Sequence, residues 1–350
     1  MHKRYQRQAI LPQLGKEGQE KLRKAKVLVV GAGGLGSPIL TYLAAMGIGT
    51  IGIVEFDTID ISNLNRQFLY KEREVGQPKI TIAIERLKEQ NPHLCYVAHS
   101  FYLNEENILE LFPQYDIIVD GSDNFKTRYL INDACVITKR PLVSGAIYQF
   151  QGQVSVFNYK GGPTYRCIFP EPPSALEAPT CATAGIIGAT AGLIASYQVM
   201  EVVKIIGEMG NILSGKLLVV DLLQMEHQTI QFKLQPVNQA IEQLTPIPDE
   251  YCEIKSEEKV AVNQIDHWQD LHPKGVMIDL REDYEREEHT IKDAQWCPLH
   301  ELPEIVNTLP EDQPILLFCQ NGIKSKTAYQ WLKEKNDKLI LRELEGGLEQ

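Results

Sequence analysis

Cysteine is scarce in this 350-residue sequence: seven thiols, Cys95, Cys135, Cys167, Cys181, Cys252, Cys297 and Cys319, lie scattered along it. That number and spread exclude a disulfide scaffold and fit a reducing compartment. No run approaches the roughly 18 unbroken apolar residues of a bilayer span. The opening MHKRYQRQAILPQLG has basic residues but neither the apolar core nor the small-residue cleavage site of a signal peptide. A cytoplasmic protein without membrane association is the expectation. Positive charge is also short, and the net charge is -11 at pH 7. The molecule as a whole therefore repels phosphate backbones, and nothing in the sequence argues for nucleic-acid binding. Any anionic ligand must be held by specific donors. There is no internal repeat.

What is present is ordinary globular composition, 43% hydrophobic and 23% charged, over a length that suits two domains. Short apolar runs alternate with helical patterns: strands at Lys26 to Val30, Thr50 to Phe56, Leu94 to Ala98, Tyr115 to Asp120 and Pro141 to Ala146. Helices fall between them at Gly34 to Met46, Gln77 to Gln90 and Asn124 to Thr138. This alternation predicts an α/β fold with a Rossmann-like, mainly parallel sheet covered by helices. A further strand at Gln153 to Phe157 precedes a proline-rich loop, Gly161 to Thr180. A helix over Ala182 to Ile206 and terminal strands at Lys216 to Val220 and Thr229 to Leu234 complete the first unit, residues 1–235. Residues 236–257 read as a linker, and residues 258–350 as a small second α/β domain.

Gly31-Ala32-Gly33-Gly34-Leu35-Gly36 follows the first strand and opens a helix. Glycines there let the backbone approach a phosphate, and a helix start offers unpaired N–H groups. Asp57, ending the next strand, is placed to accept from ribose hydroxyls. The pattern indicates a nucleotide without choosing between ATP and NAD. A dehydrogenase would need a hydride-transfer locus, yet no histidine of the first unit sits in a recognisable motif.

The stretches RYQRQAILPQLGKEGQEKL, VVGAGGLGSP, EFDTIDISNLNRQFL, GQPK, NPH, VDGSDNFKTRYLIND and PLVSGA carry the more specific signal. With them, Arg4 to Gln235 resembles the ThiF, MoeB and HesA family, relatives of ubiquitin-activating enzymes. The resemblance implies that a carrier protein's terminal carboxylate attacks the α-phosphate of ATP. Anion then meets anion, so cations must offset the charge that builds. The resemblance puts Arg66 and Lys79 on the phosphates, with Asn63 and Gln67 beside them. It gives Asp57 to the ribose and Asp123 to Mg²⁺. Asp123 is equally placed to cap the helix that begins near Asn124. Arg7 resembles an arginine finger reaching ATP from the other subunit of a homodimer, and its alternative is a surface ion pair.

Many members of that family hold structural zinc with two Cys-x-x-Cys pairs. Of the first pair only Cys167 is present, and QPVNQAIEQ, where the second should lie, has none. No structural zinc site is expected. Cys181, at a helix start that would favour a thiolate, aligns with a cysteine that is covalently used in some members and dispensable in others. Both readings stay open.

In the second unit Asp279-Leu280-Arg281-Glu282, His289 to Ala294, Cys319-Gln320-Asn321-Gly322-Ile323-Lys324-Ser325 and Glu345-Gly346-Gly347 resemble a rhodanese domain. A persulfide on Cys319 would be cradled by loop N–H groups, with Lys324 adding positive potential. Lys324 stands where the rhodanese pattern has arginine. The resemblance as a whole implies a sulfur-carrier adenylyltransferase and sulfurtransferase for molybdopterin or thiamin biosynthesis. Its cofactors would be ATP and Mg²⁺, and its partner a ubiquitin-like carrier ending in Gly-Gly (MoaD- or ThiS-like). A cysteine desulfurase is compatible as sulfur donor. The competing readings are a non-catalytic carrier-binding scaffold and an NAD-dependent oxidoreductase.

Overall fold

In β1 (Lys26–Val30), Val27 and Val29 face one side of a sheet while Leu28 and Val30 face the other, and both sides are buried. The same double burial holds in β2 (Thr50–Val54) and β4 (Ile117–Asp120), which accounts for their near-continuous apolar runs. The computed structural model describes residues 3–172, 185–245, 258–286 and 290–348. These fall into two compact units, the described residues up to 245 belonging to the first and those from 258 onward to the second.

The first unit is built on an eight-stranded sheet in the order β3-β2-β1-β4-β5-β6-β7-β8. β3 (Cys95–His99), β2, β1, β4 and β5 (Leu142–Tyr148) run parallel. β6 (Gln151–Phe157), β7 (Lys216–Asp221) and β8 (Glu226–Gln231) extend it antiparallel. On one face lie α2 (Gly36–Met46), α3 (Lys79–Gln90) and the long α5 (Gly188–Gly207), following the opening helix α1 (Gly15–Lys24). The other face is covered by α4 (Phe125–Ile137), through Tyr129, Leu130, Ile131 and Ala134. By length and hydropathy α5 passes for a membrane span. Ile194, Ala195, Val199 and Val202 nonetheless pack in the core of this unit.

Two elements depart from the sequence reading. Residues 181–184 lie outside the described residues, and α5 starts only at Gly188, after Ile186 makes a parallel bridge to Gln149. β8 begins at Glu226 because its hairpin pairs Asp221 with Glu226, leaving residues 222–225 for the turn. The expected linker, for its part, starts as a continuation of the first unit: a helical turn, Pro236–Gln239, bonds through Gln239 to the carbonyls of Gly161 and Gly162.

The second unit is an all-parallel, five-stranded sheet ordered β11-β10-β12-β13-β9. Its strands are β9 (Lys259–Val260), β10 (Val276–Asp279), β11 (Gln295–Trp296), β12 (Pro314–Phe318) and β13 (Ile340–Leu344). In β12, Ile315 and Leu317 enter one core and Leu316 and Phe318 the other. α6 (Ile323–Lys335) follows β12 and packs Ala328, Tyr329, Trp331 and Leu332 onto the sheet.

Candidate active sites

The chain leaves β1 on one side, through α2 to β2 and β3, and returns on the other side at β4. The carboxyl ends of β1 and β4 therefore face a crevice at the point where strand order reverses, the usual ligand position in open α/β sheets. The glycine turn fills one wall. It is folded so tightly that a Cβ on Gly36 would stand 2.0 Å from the carbonyl oxygen of Gly31, so only glycine fits there. α2 starts at Gly36, and its first amides are aimed at this crevice end.

Glu55, just beyond β2, is the residue that holds the turn, and the motif reading passed over it. Its buried carboxylate accepts from Ala32 N at 2.8 Å, and from Phe56 N and Asp57 N at 2.9 and 3.0 Å. Tyr70 Oη adds a 2.9 Å bond to the Ala32 carbonyl, and burial pushes its phenol well above the ordinary value. The sequence signal was available: a second acid two residues before Asp57, where the strand has just ended.

Asp57 is more than half exposed and forms an ion pair with the buried Lys79 ammonium at 3.1 Å. Lys79, the first residue of α3, also donates its backbone N–H to the Asp57 carbonyl. The ribose and phosphate candidates are thus each other's partner in the free protein. Asp60 caps the turn that follows, accepting from Ser62 N and Ser62 Oγ, and these two bonds hold its carboxyl below the usual range. Asn63 Oδ1 accepts a long bond from Asp60 N. Its carbonyl accepts from the amides of Arg66 and Gln67.

Arg66 lies along the glycine turn. Its Cδ would be 3.4 Å from a Cβ on Gly34, while Nη1 donates to Ser62 O and Asn65 Oδ1, both at 3.0 Å. Gln67 is buried against Gly33, its Nε2 3.6 Å from where a Cβ would stand.

On the opposite wall, β4 ends in Asp120. Its buried carboxylate accepts from Ser122 N, Ser122 Oγ, Ser144 Oγ and Arg128 Nε, the last at 3.3 Å. Gln198 of α5 donates to the Asp120 carbonyl at 2.7 Å, so the helix pins the strand end. Arg128 lies inside the motif VDGSDNFKTRYLIND but has no role assigned by it, and Gln198 lies in no motif. Asp123 comes three residues later, exposed, with no hydrogen bond to its carboxylate among the described residues. It does not cap α4; Asn124 does, accepting from Thr127 N at 2.8 Å. Among the described residues no three acids, histidines or cysteines converge as a metal site. A lone exposed carboxylate just past the end of β4 still fits Mg²⁺, which takes one or two carboxylates together with substrate phosphates.

Arg7 stands exposed on a short helix, Gln6–Ala9, followed by exposed Ile10 and Leu11. Cys181 lies outside the described residues. Cys167 is ringed by donors: Thr164 N and Gln235 N at 3.4 and 3.3 Å, with Thr164 Oγ1 and Asn238 Nδ2 at 3.4 and 3.7 Å. Burial alone would raise its thiol, but these donors outweigh burial and lower it.

In the second unit Cys319 directly follows β12 and is 1% exposed, with α6 starting four residues on. Ser325 N donates to its Sγ at 3.3 Å, the expected cradle contact. Lys324 differs from expectation. Its buried ammonium is held by Glu285 at 2.7 Å and Glu282 at 3.3 Å, so two carboxylates offset the positive potential it was to supply. Asp279 and Arg281 form a buried bidentate pair at 2.8 and 2.9 Å, and Arg286 adds a third bond to Asp279. His289 lies outside the described residues.

A model of the ThiF family matches residues 5–240, and a model of the rhodanese-like domain matches residues 263–350. The probable adenylyltransferase/sulfurtransferase MoeZ of Mycobacterium tuberculosis is 39% identical over 345 residues, covering 95% of this chain and 88% of that protein. The sulfur carrier protein adenylyltransferase of Thermus thermophilus is 48% identical over 238 residues, covering 67% and 88%. The adenylyltransferase and sulfurtransferase MOCS3 of Xenopus laevis is 35% identical over 382 residues, covering 99% and 85%. Among solved structures, Escherichia coli MccB with AMPCPP and MccA shares the fold at a TM-score of 0.58 and 22% identity, over 64% of this chain and 68% of that one.

Proposed function

The chain belongs to the ThiF family and carries a rhodanese-like domain, and on that premise we propose that it activates the C-terminal glycine of a ubiquitin-like sulfur carrier with ATP and delivers sulfur through Cys319. The observation that carries the first half is the crevice itself. Past the carboxyl ends of the strands stand a clamped glycine turn, Arg66 lying on Gly34, the Lys79 ammonium at the start of α3 and the exposed Asp123 carboxylate.

In this reading the carrier carboxylate forms a bond to the α-phosphorus, and the bond to the β-phosphate oxygen breaks, releasing pyrophosphate. Arg66 and Lys79 offset the charge that accumulates. Lys79 reaches the phosphates by leaving Asp57, whose carboxylate then serves the ribose hydroxyls. Asp123, together with the phosphates, would hold Mg²⁺, whose chemistry is to neutralise phosphate charge. Arg7, beside exposed Ile10 and Leu11, suits a contact between subunits, and a homodimer is part of the proposal.

The terminal sulfur of a Cys319 persulfide then attacks the acyl-adenylate carbonyl and AMP leaves. A second thiol, the part the resemblance offers Cys181, forms a disulfide with Cys319 and frees the thiocarboxylate. Family membership leaves no place for the oxidoreductase alternative. Molybdopterin or thiamin synthesis, in the cytoplasm, is the setting proposed, with a cysteine desulfurase as donor.

The test is ATP–pyrophosphate exchange in the presence of a Gly-Gly carrier. Asp123→Ala should abolish exchange and leave circular dichroism unchanged, while Cys319→Ala should keep exchange and lose thiocarboxylate formation. Normal exchange by the first variant, or normal sulfur transfer by the second, counts against the assignment.

A further inference from the structure

Beneath the Cys319 loop runs a chain of side chains that ends at Glu343, a residue in no motif. Besides the amide at 3.3 Å, the hydroxyl of Ser325 stands 3.7 Å from Cys319 Sγ. That hydroxyl reaches Glu343 Oε1 at 2.9 Å, with the Gly322 carbonyl at 3.1 Å as its other acceptor. Glu343 sits on β13, the neighbour of β12, and is fully buried. Its Oε2 has no hydrogen-bond partner and no cation reaches it within ion-pair distance among the described residues. The charged groups that face it are Lys326 of α6, Lys259 of β9 and Glu345 just past β13, the last two paired with each other at 3.1 Å.

A buried acid without a counter-charge is costly as an anion. A scaffold role at this place would be served as well by an amide or a hydroxyl. What only an acid supplies is a proton acceptor of adjustable strength. We propose that Ser325 and Glu343 form a proton relay for Cys319. The S–H bond breaks and its proton goes to Ser325 Oγ, whose own proton passes to Glu343 Oε1. The products are a thiolate, bonded by both the amide and the hydroxyl of Ser325, and a neutral carboxylic acid. Net charge is unchanged, so the step moves a negative charge already buried onto the sulfur and takes no further ion out of water. Burial raises the Glu343 carboxyl, and Glu345 adds to this, while Ser325, Lys326 and Lys259 oppose it; the net direction is upward. Both relay residues act through Cys319, as positioning groups. The inference rests on the reading of Cys319 as the sulfur nucleophile.

The experiment is the rate of Cys319 alkylation by iodoacetamide against pH in the full chain, read by peptide mass spectrometry with the other cysteines as internal references. Coupled groups lose protons in two macroscopic steps, so the wild-type rate should rise twice. Glu343→Gln should leave one step, with the rate at neutral pH lower by about tenfold, the equivalent of one pKa unit. Ser325→Ala should do the same, while Glu343→Asp and Ser325→Thr should restore the lower step. A single step in the wild type, or a wild-type profile in Glu343→Gln, overturns the relay. Should Glu343→Gln not fold, by circular dichroism, the serine pair decides alone. Sulfur transfer surviving in Cys319→Ala would sink the underlying function while leaving this pH profile intact.

Discussion

At the scale of single residues, Cys167 shows how neighbours set the state of a thiol. It receives bonds from Thr164, Gln235 and Asn238. Those bonds favour the thiolate, so the folded chain binds the thiol proton less tightly than the unfolded one. A depressed acid contributes stability that is absent at low pH, grows as pH rises through the folded value, and is complete above the ordinary thiol value of 9.0. In urea titrations the gap between wild type and Cys167→Ala should therefore widen from neutral pH upward. A constant gap would mean that the thiol is merely packed. The same scale shows where sequence reading stops. Arg66, Lys79, Asp57 and Asp123 are candidates because each sits in a motif with an assigned role. Glu55 and Arg128 sit in the same motifs without one, and Gln198 and Glu343 sit in none, because what matters in these four is whom they meet: Gln198 reaches the Asp120 carbonyl 78 positions away.

At the scale of elements, periodicity found the central strands β1, β2 and β4, because burial on both faces writes continuous apolar runs. It misplaced ends. α2 begins two residues later than its pattern, at Gly36, since Gly33 and Gly34 belong to the turn rather than to the helix. α5 begins six later, once a bridge has been made. Backbone approach is invisible to periodicity, and Gly36 is where it matters most. Gly36→Ala would push a methyl onto the Gly31 carbonyl. Overpacking of this kind costs about 1–3 kcal/mol or more. The expected result is a lower urea midpoint and weaker ATP binding by calorimetry; unchanged affinity would show that the turn tolerates rearrangement.

For the whole molecule, the apolar clusters are separate: those of the first unit and those of the second share no residue. Two cores favour two unfolding transitions over one. Gly347 offers a handle on the second alone, because a Cβ there would stand 2.4 Å from Gly322 N and 2.5 Å from Gln320 O in the Cys319 loop. Gly347→Ala should lower one calorimetric transition and leave the other, together with pyrophosphate exchange, in place. A single transition shifting as one would mean that the units unfold cooperatively.

The carboxylate of Glu55 has a further consequence. Because one side chain ties the amide of Ala32 to those of Phe56 and Asp57, the glycine turn and Asp57, proposed for phosphate and ribose, become one stiff piece as the chain folds. Little disorder is left there for an arriving nucleotide to remove, so more of its contact energy remains for holding the reacting groups in line.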